Sequence, residues 1–284
     1  MLKKAYLEIT NCCNLSCSFC HGTERAKRFM SRDEFNTLTD KLSGRIDYLY
    51  FHLLGEPLLH PELIDFILIA KRKGFKPVIT TNGTLLKAKG AELLESGLYK
   101  ISISLHSAEA NSAFASPEYI ESCAEFGFHA ADKGIITVLR LWNGGGLDSE
   151  NSRIISLLKD MFSGEWSETR SGFKLRDKVF LEFGRKFEWP DLSLPELGES
   201  FFCYGLRDQV GILVDGTVVP CCLDAEGDIP LGNLFEESLE DILSSKRAQN
   251  IYNSFSGHTA AEALCKRCGY AAITKQYRMK AKKE

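Results

Sequence analysis

Ten cysteines lie in 284 residues, at positions 12, 13, 17, 20, 123, 203, 221, 222, 265 and 268. Cys13, Cys17 and Cys20 read C-x3-C-x2-C. Three thiolates this close can hold three corners of a cubane 4Fe–4S cluster, leaving the fourth iron without a protein ligand. An open position on a metal centre is where a substrate or cofactor binds. The competing arrangements are zinc completed by His21, or four-cysteine ligation completed by Cys12. Zinc sites usually show two separated Cys/His pairs, and strand pleating would send adjacent Cys12 and Cys13 in opposite directions. Cys203, Cys221, Cys265 and Cys268 make a second set, from a loop, a hairpin end and a C-x2-C knuckle. Four thiolates could enclose a metal completely, and their spacing permits structural zinc as readily as an iron–sulfur cluster. Cys222 is the second candidate for the place given to Cys221. Cys123, alone on a helix-like segment, reads as a small buried apolar residue.

The elements that must position these groups have a readable rhythm. Strand-like runs at Ala5–Ile9, Ile46–Phe51, Lys76–Thr80, Tyr99–Leu105, Ile135–Leu141 and Lys178–Phe183 alternate with helical spacing. The helices are expected at Ser31–Leu42, Pro61–Lys73, Leu85–Glu95, Pro117–Lys133 and Ser149–Phe162. Alternation of this kind argues for parallel βαβ units. Six units are too few for a closed eight-unit barrel, so the expected fold is α/β, a partial (β/α)6 TIM-like barrel. Function then gathers at the carboxyl ends of the strands. Beyond the sixth strand, Val210–Val214 and Thr217–Val219 form a hairpin around Asp215-Gly216. A helix follows over Phe235–Tyr252, completing a small hairpin-plus-helix extension. The domains are placed at 1–195 and 196–284.

Composition sets the partners. Thirty-five basic against 38 acidic residues give a net charge of −3, so no global basic field recruits nucleic acid or an anionic membrane. The first residues become charged too soon for a secretory signal, and the apolar run Leu63–Ala70 is short and broken by Asp65. A soluble, cytoplasmic protein is expected, in which a disulfide framework is out of place. Five basic residues between Lys275 and Lys283 read as a solvated tail.

With Leu7–Asn11 before it and Phe19 preceding the third cysteine, the triplet resembles the cluster motif of the radical SAM superfamily. The resemblance extends over residues 3–190. It implies that Cys13, Cys17 and Cys20 ligate the cluster and that S-adenosylmethionine (SAM) chelates its fourth iron. Gly55-Glu56-Pro57 resembles the GGEP motif that contacts the methionyl amine, with Leu54 replacing the first glycine. A carboxylate suits an ammonium. Thr80-Thr81-Asn82-Gly83 resembles the TNG turn beside the cofactor, and Ser104-Leu105-His106 the segment whose serine contacts the ribose. Arg140 suits a bidentate grip on the methionyl carboxylate. Cys203, the hairpin with Cys221, and Gly232-Asn233-Leu234 resemble the SPASM/twitch extension, in its shorter form with one auxiliary 4Fe–4S cluster.

The implied activity is reductive cleavage of SAM to a 5′-deoxyadenosyl radical that abstracts hydrogen from substrate. Two 4Fe–4S clusters, SAM and an electron donor such as flavodoxin or ferredoxin are implied with it. The first strand begins within a few residues of the start, which favours a small-molecule substrate, nucleoside- or sugar-like. The compact two-cluster layout is similar to small bacterial proteins that include the queuine lyases, which release queuine from queuosine or its 5′-phosphate. His21, His52, His106, Trp142, Asn143, Glu182 and Arg185 fall near the strand ends where a substrate would lie. The alternatives are a peptide-modifying maturase and a zinc-stabilised binding module.

Overall fold

The computed structural model describes residues 2–111, 116–146 and 148–273; the basic run 275–283 lies outside them. In chain order the elements are β1 (Lys4–Leu7), α1 (Arg32–Leu42), β2 (Tyr48–Tyr50), α2 (Leu63–Arg72), β3 (Lys76–Thr81) and α3 (Leu86–Glu95). Then come β4 (Lys100–Ser104), α4 (Ser107–Ala110), α5 (Pro117–Asp132), β5 (Ile136–Gly144), α6 (Asn151–Met161), β6 (Ser167–Thr169), β7 (Gly172–Arg176) and β8 (Val179–Arg185). The last are β9 (Gln209–Ile212), β10 (Thr217–Val219), β11 (Gly232–Asn233), α7 (Leu239–Ser244) and α8 (Lys246–Ser256). The fold is α/β with a mostly parallel sheet, in partial-barrel form. Its elements fall into two compact units, one of Met1–Asn11, His21–Gly55 and Phe187–Glu284, the other of Cys12–Cys20 and Glu56–Lys186.

In the first unit β1 is flanked on both sides by parallel neighbours, β2 and β9. Ala5 and Leu7 are buried while Lys4 and Tyr6 are half-buried, the period-two pattern that gives a strand one core face. α1 starts where Ser31 closes a capping box with Glu34, satisfying two of the backbone donors that a helix start leaves open. Phe35, Leu38 and Leu42 then line its buried face. β9 and β10 pair antiparallel around Asp215-Gly216, with Gly216 at φ +86° as the turn demands.

In the second unit β3, β4, β5 and β8 run parallel in that order, each crossover carrying helices. The structure departs from the sequence expectation at several places. An antiparallel pair, β6 and β7, precedes β8 and adds to its free side. β5 runs on to Gly144, so Trp142 and Asn143 lie within the strand and not beyond it. β8 likewise extends to Arg185. The helix expected over Phe235–Tyr252 is two helices, because Ser245 ends α7 and caps α8, its side chain accepting from Ala248 N. α2 begins at Leu63, two residues beyond Pro61.

Candidate functional site

The loop Cys12–Cys20 is fastened through backbone and side chains of the same unit. Glu56 N donates to Cys12 O at 2.8 Å. Asn82 Nδ2 donates to Asn14 Oδ1 at 2.9 Å, and Asn14 Nδ2 donates to Thr84 Oγ1 at 2.9 Å. Thr84 returns two hydrogen bonds to Asn82 Oδ1, so the turn after β3 and the cysteine loop close on each other. Behind this turn Tyr119 of α5 donates to Asn82 O at 2.5 Å. Gly83 adopts φ +79°, and a Cβ there would meet Cys123 Sγ at 2.7 Å.

Glu56 is 1% exposed. Its Oε1 accepts from Leu58 N at 2.9 Å and Thr81 Oγ1 at 2.8 Å, and its Oε2 accepts from Asn82 N at 2.7 Å. It therefore caps the short 3-10 turn that starts at Pro57 and holds the turn after β3. Burial pushes its carboxyl up to about 6 despite those three bonds. Gly55, just before, takes φ +78°.

α4 and its flanks reach the other side of the loop. The His106 ring packs against Phe19 at 4.9 Å between centroids. Asn111 Nδ2 donates to Cys17 Sγ at 3.2 Å. Burial pushes the Cys13 and Cys17 thiols up, and the charges of neighbouring cysteines push each further. Closely set thiols that raise one another in this way are relieved by a bound cation, which deprotonates a coordinating thiol outright. The donor set fits an iron–sulfur cluster.

Arg140 lies with its guanidinium 4.4 Å from the Trp142 ring and its Nη1 3.4 Å from Thr80 Oγ1. Ser104 is the last residue of β4. Asn143 is buried and exchanges both amide groups with Asn151, at 2.9 and 3.0 Å. Glu182 pairs in register with Arg140, while Arg185 is exposed at the end of β8. In the first unit His21 stacks on Trp189 at 6.1 Å, and His52 meets Tyr6 and Tyr50 edge-on at 5.5 and 5.8 Å.

The second thiol set belongs to the first unit. Cys203, Cys221, Cys265 and Cys268 line one cavity together with Asp224, Pro220 and Phe255. Among the described residues no three His, Cys, Asp or Glu side chains converge as a single metal ion requires. Four thiols are a donor set that fits an iron–sulfur cluster. Burial pushes the Cys268 thiol up to about 11 and raises the Cys221 and Cys265 thiols as well, with the charges of neighbouring cysteines adding to the rise. Cys222 packs instead against the Leu53, Leu213 and Val219 cluster beside Tyr6.

Sequence reading missed a buried ion pair in this unit. Arg25 forms a bidentate pair with Glu8 at 2.9 and 2.7 Å and donates from Nε to Ala225 O at 2.9 Å. Val214 N donates to the same carboxylate at 3.1 Å. It missed Asn111 as well, which no motif marks.

Comparison with known proteins matches residues 7–161 to the family model described as the radical SAM superfamily. Residues 203–269 match the SPASM model, described as an iron–sulfur cluster-binding domain, and span all four cavity cysteines. A probable GTP 3′,8-cyclase of Sulfolobus acidocaldarius is 35% identical over 119 residues, which is 37% of this chain and 35% of that protein's length. Among solved structures, BtrN in complex with AdoMet and 2-DOIA superposes with a TM-score of 0.61 at 18% identity, covering 94% of this chain and 93% of that one. Streptococcus suis SuiB bound to precursor peptide SuiA gives 0.58 at 15% identity, covering 95% and 71%. Among the described residues no helix is long and apolar enough to cross a membrane.

Proposed function

This chain belongs to the radical SAM superfamily, and from that membership we propose that it cleaves SAM reductively and takes hydrogen from a small nucleoside- or sugar-like substrate. The class makes it an enzyme that carries a 4Fe–4S cluster with SAM, and its SPASM domain adds iron–sulfur binding. The observation that carries the reading is the Cys13–Cys20 loop, in which Cys13 and Cys17 are met by side-chain amide donors from Asn82 and Asn111. Bound there, cluster and SAM would supply the one-electron chemistry that opens an unactivated C–H bond.

The chain's own residues divide the remaining tasks. Cys13, Cys17 and Cys20 hold iron. Glu56 and Thr81 fix the turn that carries Asn82, and Arg140 is assigned to the methionyl carboxylate, which its planar fork matches. Ser104 is assigned to the ribose, and Phe19, Gly55 and Pro57 to the cofactor's surroundings. Cys203, Cys221, Cys265 and Cys268 are assigned to one auxiliary cluster. The matched segment 203–269 lies inside the proposed second domain, 196–284.

For the substrate, the reading is a queuine lyase acting on queuosine or queuosine 5′-phosphate. A small polar ring system is supported by a relative named for GTP. His106 and Trp142, both in the second unit, offer aromatic faces for such a ring. The likeness to SuiB with its peptide favours a second reading, modification of a peptide.

Anaerobic purification followed by incubation with SAM, a reductant and a panel of queuosine derivatives tests the proposal. The expected products are 5′-deoxyadenosine and free queuine. No queuine above a control lacking SAM overturns the lyase reading. Metal analysis of the same sample should give about eight irons for two clusters, and zinc without iron would overturn the radical reading.

A further inference from the structure

α4 is only four residues long, yet it delivers two donors to one cysteine. Asn111, at its C-terminal end, gives one amide hydrogen to Ser107 O at 2.8 Å and directs the other to Cys17 Sγ at 3.2 Å. The Ser107 side chain hydrogen-bonds the same thiol. His106 immediately before them packs on Phe19, two residues beyond Cys17. The amide bridges its own helix and the sulfur, so its plane is fixed before any metal arrives. Cys13 is served more weakly, by Leu15 N at 3.5 Å and by Asn82 Nδ2 at 4.0 Å.

We propose that Ser107 and Asn111 are positioning residues that set the reduction potential of the cluster on Cys13, Cys17 and Cys20 through Cys17. The proposal rests on the cluster reading above. Reduction adds one electron to the cluster, and part of that negative charge resides on the ligating sulfurs. Donors aimed at a ligand sulfur stabilise the reduced form more than the oxidised form, and so raise the potential. Hydrogen bonds to charged acceptors are the stronger kind. The electron comes from the external reductant; no bond to carbon forms or breaks in this step.

The test uses anaerobically reconstituted holoenzyme. Asn111→Leu keeps similar bulk without donors, Ser107→Ala removes the hydroxyl, and Asn111→Asp replaces the donor with a negative charge. Iron and sulfide content should match the wild type. Redox titration followed by electron paramagnetic resonance should show the one-electron reduction equilibrium of the N-terminal cluster falling about three- to tenfold per donor removed, tenfold being 59 mV. The double variant should fall further, and Asn111→Asp furthest among the single variants.

Full iron content with an unmoved potential overturns the proposal alone. A chain that binds no iron overturns the cluster reading and the proposal with it. Should the variants fail to hold iron, wild-type enzyme with 15N in its asparagine side chains supplies the deciding measurement. The reduced cluster should then show a 15N hyperfine coupling assignable to Asn111, and its absence overturns the proposal whatever the variants do.

Discussion

Glu56 shows how much one residue can be asked to hold. Three donors converge on a carboxylate that burial still drives up to about 6, against an ordinary 4.5. The folded chain therefore keeps a proton that the unfolded chain releases first. Stability contributed by this group is full below 4.5 and is lost as pH rises through 6, a change of about 2 kcal/mol. Comparing urea midpoints of wild type and Glu56→Gln from well below pH 4.5 to well above pH 6 should show the difference in stability changing by about that amount. A pH-independent difference would sink the assignment. At this scale the cysteines were legible, because metal ligation is a matter of residue type and spacing. Asn111 was not, since its partner Cys17 lies 94 positions away and only the folded chain brings them together.

Among elements, the turn after β3 is held from below by α5. Tyr119 and Cys123, one helical turn apart, both press against Gly83. Gly83→Ala adds a Cβ that would meet Cys123 Sγ at 2.7 Å, at a residue with φ +79°. It should cost about 1–3 kcal/mol from crowding and backbone strain. Adding Cys123→Ala should recover the crowding part but not the strain, which a double-mutant cycle by denaturant unfolding would resolve. Full additivity would show that the two residues do not meet. The parallel βα units could be read from alternating strand and helix patterns. β6 could not, because Ser167, Glu168 and Thr169 are all exposed and carry no alternation. The break at Ser245 did leave a signal, since serine is a preferred N-cap residue.

For the molecule as a whole, the Glu8–Arg25 pair joins distant parts of the chain at one buried point. Glu8 is fully buried, and its carboxylate also accepts from Val214 N. Arg25→Met leaves that charge without its cation and should cost about 3–5 kcal/mol, more than the pair is worth intact. Glu8→Gln with Arg25→Met should regain much of the loss, read as recovery of the thermal midpoint; a double variant no better than the single would count against the pair. The same region has a consequence in time. Lys4 pairs with Tyr48 on one side but with Gln209 on the other. During synthesis at about 5–20 residues per second, β1 must wait roughly ten to forty seconds for its second neighbour. Until then one rim of the nascent sheet stays unzipped, a template for the wrong partner. The strand that leads into the cysteine loop is thus made long before it is secured, and metal loading before β9 has emerged would act on an unfinished protein.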